Sequence, residues 1–88
     1  MYNYKKELPK LLTDQGQRNL IKSLDHVRKI LKKSGAITMD SALLNHTSDS
    51  WENMAYVDRL VDVGVIREIQ QKNKTIAQNR IFVLVSQK

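Results

Sequence analysis

A cluster of basic and amide side chains near the end of the sequence has the chemistry needed to bind phosphate. Lys72, Asn73, Lys74 and Arg80 lie within or beside a polar stretch between two apolar segments. Clustered cations displace counterions from phosphate groups, and an amide donates hydrogen bonds to the same oxygens. The same composition also suits a solvated loop that its charge keeps soluble, and the sequence favours neither interpretation.

Residues suited to catalysis or metal binding are few and scattered. His26 follows Asp25, His46 stands apart from both, and the sequence contains no cysteine. These positions match neither a metal site nor a nucleophile with its base, and the glycines form no phosphate-binding loop. We therefore expect a protein that is not an enzyme and that binds no metal or cofactor. The lack of cysteine favours a reducing, cytoplasmic location.

The composition is typical of one small globular domain that spans residues 1–88. Hydrophobic residues make up 41% of the chain, charged residues 27%, and the formal net charge is +6. No apolar run is long enough to span a bilayer, and no apolar segment follows the first charged residues. We expect neither a membrane segment nor a secretory signal. Both ends of the chain are basic and the middle is acidic, and the basic excess favours a nucleic-acid partner.

Residues 1–15 are predicted to form an arm or a short helix. Leu8, Leu11 and Leu12 have helical spacing, and Pro9 would lie near the first turn of such a helix. The apolar side chains of this arm, together with Tyr2 and Tyr4, must pack on some surface. That surface is either the domain itself or a second subunit, which would make the protein a homodimer.

The strongest helical pattern follows the arm, with Asp14 as the expected N-cap and Gly35 as the C-cap. Its apolar positions recur at three- and four-residue steps. They are Leu20, Ile21, Leu24, Val27, Ile30 and Leu31. Many Lys and Arg side chains lie opposite this stripe, which is typical of the solvated face of any amphipathic helix. The alternative is that this basic helix, together with the basic loop near the end of the chain, contacts the backbone of a nucleic acid.

Two further helices are predicted in the middle of the chain. A short strand over 36–38 precedes a short helix capped by Thr38 or Asp40, which His46 and Thr47 would close. A third helix runs from Ser50 to Val63, with a capping box that includes Glu52, and Gly64 ends it. Its inner face is expected to contain Met54, Val57, Leu60 and Val61. Residues 65–69 and 80–85 then alternate as strands do, with a long hairpin loop at 70–79.

The segment Tyr56–Glu68, with sequence YVDRLVDVGVIRE, and the order of elements over residues 17–85 resemble the winged helix-turn-helix superfamily. The resemblance implies an α+β fold with three helices and a C-terminal β-hairpin wing, to which this chain adds a short N-terminal helix. In DNA-binding members the third helix enters the major groove and the wing contacts the DNA backbone. The implied partner is duplex DNA, and the implied function is regulatory.

By position, the resemblance assigns DNA contacts to the outer face of the third helix and to the wing. The residues are Ser50, Asn53, Tyr56, Arg59, Lys72, Asn73, Lys74 and Arg80. Asn53 would pair with adenine, and Arg59 with guanine or a phosphate. However, Asp49, Glu52, Asp58 and Asp62 lie on or near the same helix, where carboxylates repel phosphate.

The acidic third helix supports an alternative function, that of a protein-interaction module or small adaptor. The residues assigned to this partner surface are Trp51, Glu52 and Val63. Trp is enriched at binding hot spots, although the sequence favours packing of Trp51 over the second helix at the edge of the core. The two alternatives, DNA binding and protein docking, differ in which side chains of the third helix are free to contact a partner.

Overall fold

A computed structural model describes residues 1–69 and 80–85 of the chain. Its elements are α1 (Tyr4–Leu11), α2 (Asp14–Ser34), β1 (Ile37–Thr38), α3 (Met39–Ala42), α4 (Ser50–Asp62), β2 (Ile66–Glu68) and β3 (Ile81–Leu84). The strands form an antiparallel sheet of order β1-β3-β2. The fold is therefore α+β, with four helices and a three-stranded sheet in the described ranges. The predicted hairpin loop at 70–79 lies outside them.

The core lies between α2, α4 and the sheet. Val27 and Leu31 of α2, Val57 and Leu60 of α4, and the sheet residues Ile66 and Phe82 are almost completely buried there. Val61 packs against this core, as predicted, whereas Val63 is 51% exposed. Ile21, which was expected to widen the apolar stripe of α2, is instead 59% exposed.

The helix ends contain the types of residue that were predicted, but some of these residues occupy other positions than predicted. Gly35 and Gly64 have φ angles of 75° and 84°, in the left-handed region that glycine adopts cheaply. Thr13, rather than Asp14, caps α2 by accepting a hydrogen bond from the Gly16 N–H. Pro9 lies in the second half of α1 and not in its first turn.

The short helix and the start of α4 also differ from expectation. Thr38 caps α3 as predicted, but α3 ends at Ala42, before His46 and Thr47. Asp49 caps α4 through its side chain, which accepts from the N–H groups of Trp51 and Glu52. The N–H of Asp49 donates to Thr47 and not to Glu52, so the predicted capping box does not form.

The N-terminal helix packs along α4 of the same chain. Leu11 lies in a small buried cluster with Ala55 and Tyr56. Tyr2 and Tyr4 bind Asp58 and Asp62, in the C-terminal half of α4. Gly16 allows the turn between α1 and α2, because a Cβ at this position would collide with the backbone of Leu11. The arm therefore packs on its own domain and covers one side of α4. No helix in the described ranges is long and apolar enough to cross a membrane.

Candidate nucleic-acid interface

The carboxylate of Asp58, on α4, is held by groups from two distant parts of the chain. Arg80 places Nη2 at 2.8 Å from Oδ1 and Nη1 at 3.3 Å from Oδ2, and the Tyr2 hydroxyl donates to Oδ2. The Asp58 side chain is only 13% exposed. Burial and the hydrogen bond to Asp58 raise the pKa of Tyr2, so its hydroxyl keeps the donated proton. Asp58 therefore presents little free negative charge to a partner.

Arg80, predicted to contact DNA, instead ties elements of the domain together. Besides Asp58, its guanidinium binds Glu68 of β2 at 2.7 and 3.0 Å and lies over the ring of Phe82. Its side chain is 23% exposed, and the hydrogen bonds to Glu68 raise its pKa above the usual arginine value. Arg80 therefore already has two carboxylate partners in the folded chain, and its contact with DNA stays a prediction.

A second tyrosine and a second arginine neutralise Asp62 in the same way. The Tyr4 hydroxyl donates to Asp62 Oδ2 at 2.9 Å, and Arg59 Nη1 lies 3.0 Å from the same oxygen. This cluster is more exposed, since 47% of the Asp62 side chain is accessible. Arg59 remains close to the surface, but its guanidinium already has a carboxylate partner.

Asn53 and Tyr56 were expected on the outer face of α4, and both are buried. Asn53 accepts from the N–H of Thr47 and donates to its carbonyl, which fixes the loop before α4. The Tyr56 hydroxyl accepts from Asn19 of α2 at 3.1 Å. The prediction of exposure failed because the loop before α4 covers Asn53, while Asn19 of α2 and Leu11 of α1 cover Tyr56. Neither side chain can reach a DNA base in this structure.

Acidic groups also gather where α1 meets the start of α4. Carboxylate oxygens of Glu7, Asp49 and Glu52 lie within 4.8 Å of one another. The ammonium group of Lys10 is 3.0 Å from Glu7 and 3.7 Å from Asp49, so one cation of the protein offsets part of the charge of the three carboxylates. Ser50 and Trp51 are exposed next to it, and 43% of Trp51 is accessible. Trp51 thus lies at the surface, as the protein-docking alternative requires.

The free positive charge of the described chain lies mainly on α2. Arg18, Lys22, Lys29 and Lys33 are all exposed, and none makes an ion pair within residues 1–69 and 80–85. At 100° per residue their steps of four, seven and four place them within an arc of about 60° over about 22 Å of helix. The sequence showed these cations but not that they are unpaired, because pairing depends on neighbouring elements. We call these four side chains the α2 cation row.

His46 forms part of a buried network and not a catalytic pair. Its Nε2 lies 2.7 Å from Oγ of Ser23, and its ring packs edge-on against Tyr56. Ser23 is only 1% exposed, so no substrate can reach its hydroxyl. Burial, and to a smaller extent the charge of Lys22, lower the pKa of His46. The group therefore joins α2 to the loop before α4.

The remaining predicted residues either lie outside the described ranges or lie far apart on α4. Lys72, Asn73 and Lys74 lie outside the described residues, so their placement stays a prediction. Val63 lies at the end of α4, about 18 Å along the helix from Trp51, which is too far for both to line one small site.

Searches of protein-family models, curated proteins and solved structures returned no match to this chain.

Proposed function

We propose that this chain is a winged-helix DNA-binding protein with a regulatory role, which contacts the backbone of duplex DNA through the α2 cation row and the basic segment 72–74. The observation that carries the proposal is the row itself: four exposed cations along one face of α2, none in an ion pair within the described ranges, with Asp25 as the one acidic side chain between them along the helix. Phosphates repeat densely along a duplex, so a straight row of cations can neutralise several at once.

Contact with the DNA backbone, and not with the bases, also agrees with the side chains that α4 leaves available. Asp58 and Asp62 are paired with arginines of the protein, and Asn53 and Tyr56 are buried, so α4 offers few groups that read bases. The order of helices and the sheet order β1-β3-β2 are compatible with a winged-helix layout. In this proposal the domain binds without inserting α4 into the major groove, and we expect little preference for sequence.

The test is the salt dependence of binding to a 20-base-pair duplex, measured by fluorescence anisotropy between 50 and 200 mM salt. Each phosphate contact contributes roughly 0.9 to the slope of log K against log salt. Lys22→Gln/Lys29→Gln and Lys72→Gln/Lys74→Gln should each weaken binding severalfold and reduce the slope by about 2. Circular dichroism should show the same fold in both variants, because the substituted side chains of α2 are exposed.

Lys5→Gln/Lys6→Gln is the matched control, because it removes two exposed cations from α1. This variant has the same net charge as each test variant and should keep nearly the slope of the parent. If all three double variants lost affinity equally, the attraction would depend only on net charge and the proposed interface would be wrong. A parent protein that fails to bind duplex DNA at 50 mM salt would exclude the function itself.

Docking to another protein through the start of α4 is a second candidate, and the exposed Trp51 is the observation that favours it. Tyr2 and Tyr4 already contact α4 of the same chain, so a homodimer through the arm is no part of either proposal. Trp51→Ala should leave DNA binding intact if the first proposal holds. Loss of DNA affinity in a folded Trp51→Ala variant would mean that α4 faces the nucleic acid after all.

The remaining parts of the proposal follow from DNA binding. The protein has no catalytic step of its own, needs no metal or cofactor, and acts in the cytoplasm. We infer the location from the lack of cysteine, since reduced compartments do not rely on disulfides.

A further inference from the structure

A shallow cavity opens where α4 ends and the chain enters β2, beside the end of β3. Its volume is about 370 Å³, and it is lined by Arg28, Val63, Gly64, Val65, Leu84 and Val85. Val63, Leu84 and Val85 are among the most exposed large hydrophobic side chains, with 51%, 44% and 36% of their surface accessible. Apolar side chains that converge around a depression are typical of a binding surface and not of scattered surface residues. We call these six residues the Arg28 cavity.

The Arg28 cavity contains one charged group. Arg28 is exposed on α2 and makes no ion pair in the ranges 1–69 and 80–85. It lies about 100° around the helix from Lys29, so it faces away from the middle of the α2 cation row. A guanidinium beside apolar walls is complementary to a carboxylate that is attached to an apolar group.

The edge of the sheet next to this cavity has backbone groups that bind no partner among residues 1–69 and 80–85. Hydrogen bonds from Val85 N–H to the Val65 carbonyl and from Ile69 N–H to the Ile81 carbonyl show that the odd residues of this strand face β3. In an antiparallel ladder the alternate residues then face outward. The backbone groups of Ile66 and Glu68 therefore point away from β3, and no described residue bonds to them. An extended peptide could add there as a fourth strand.

Two kinds of partner could cover this surface, and the charge of Arg28 distinguishes between them. A second copy of the chain, related by a two-fold axis through the cavity, would bring two Arg28 guanidinium groups together in molecules of net charge +6. A segment with acidic residues beside an apolar one would instead neutralise Arg28. We propose that β2 and the Arg28 cavity bind an extended acidic-apolar segment of another protein, with an apolar side chain in the cavity and a carboxylate on Arg28.

The test uses the full chain, labelled with ¹⁵N, and three blocked pentapeptides. The probe has the sequence Glu-Val-Leu-Val-Glu, and its matched controls are Lys-Val-Leu-Val-Lys and Glu-Ser-Thr-Ser-Glu. The probe should shift the amide signals of Val63, Val65, Ile66 and Glu68, and both controls should bind at least about fivefold more weakly. Equal binding of the acidic and basic apolar peptides, or shifts confined to other parts of the molecule, would overturn the proposal.

Two variants and their control locate the contacts. Arg28→Gln and Leu84→Ser should each weaken probe binding about fivefold, and Lys33→Gln, on the same helix as Arg28, should not change it. Sedimentation should find the parent monomeric, and a dimer that Leu84→Ser dissociates would overturn the proposal in favour of a second copy. Lys22→Gln/Lys29→Gln should bind the peptide like the parent, so the failure of DNA binding and the failure of peptide binding are separate results.

Discussion

The guanidinium of Arg80 lies against the carboxylate of Asp58, with 2.8 Å between Nη2 and Oδ1. Both side chains are largely shielded from water, at 23% and 13% exposure, so each depends on the other for a partner. The pair joins β3 to α4, and Glu68 extends it to β2. Charges that could have met a nucleic acid or a protein are used within the domain.

Removing the Asp58 carboxylate should destabilise the domain, because it leaves Arg80 partly buried with one partner fewer. We expect Asp58→Ala to lower the free energy of unfolding by about 2 kcal/mol, less than for a fully buried pair because water still reaches the site. Urea denaturation measures this loss. The control is Asp62→Ala, whose more exposed pair should be worth no more than about 1 kcal/mol. Equal losses in the two variants would contradict this account.

The close approach of α1 to α2 requires glycine at position 16. A Cβ added there would collide with the backbone of Leu11, which cannot move without displacing α1. Gly16→Ala should therefore lower the free energy of unfolding by about 3 kcal/mol, as overpacking of a tight contact does. Gly35→Ala is the matched comparison, since its site is open and only its positive φ is strained, at about 1 kcal/mol. A thermal-unfolding series that ranks Gly35→Ala as the more harmful change would refute the proposed collision.

Asn53 offers a test of whether α4 reads DNA. In the structure its amide binds only the backbone of Thr47, so Asn53→Ala should cost about 1 to 3 kcal/mol of stability by leaving buried groups without partners. Among molecules that remain folded at low temperature, the DNA affinity should match that of the parent. Ser50→Ala, at an exposed neighbouring position, should change neither quantity. A specific loss of DNA affinity in folded Asn53→Ala would restore the base-contact prediction.

Stability should fall as the pH drops below neutrality, because the pKa of His46 is lowered in the folded protein. The unfolded chain then takes up the proton more readily, starting near the usual histidine value of about 6.5. The stabilising effect is complete above that pH and is lost as the pH falls towards the lower folded pKa. Urea unfolding at pH 7.5 and 5.5 should show a smaller decline for His46→Gln than for the parent. His26→Gln is the control, and an unchanged decline in both variants would contradict the assignment.

Local patterns in the sequence were sufficient to predict α2, α4, the two longer strands and the left-handed glycines at 35 and 64. These features depend on spacing and on the conformational preferences of single residues, which act over a few positions. The N-terminal helix was anticipated, but the surface on which it packs was not. A helix pattern shows that one face is apolar and does not show how many neighbours cover the others.

The candidate site was harder to predict for the same reason. Asn53 and Tyr56 have side chains suited to base contacts, and Arg80 is suited to phosphate. In the folded chain, however, Asn53 binds Thr47, Tyr56 binds Asn19 and packs against α1, and Arg80 binds Asp58. Conversely, the cations of α2 matched the solvated face of an ordinary helix. Only the absence of an ion pair in the described ranges distinguishes them, although Asp25 lies on the same helix, and the sequence alone does not show which charges pair.

Asp58 also has a consequence for the order of folding. Its contact with Arg80 closes a separation of 22 residues, whereas its contact with Tyr2 closes one of 56. Longer loops cost more entropy to close, so we expect α1 to dock after the central elements have assembled and to detach before them. Hydrogen exchange should then be faster in α1 than in α2. During each detachment the apolar surface around Ala55 and Tyr56 meets water, and association between chains in that state is a route to aggregation.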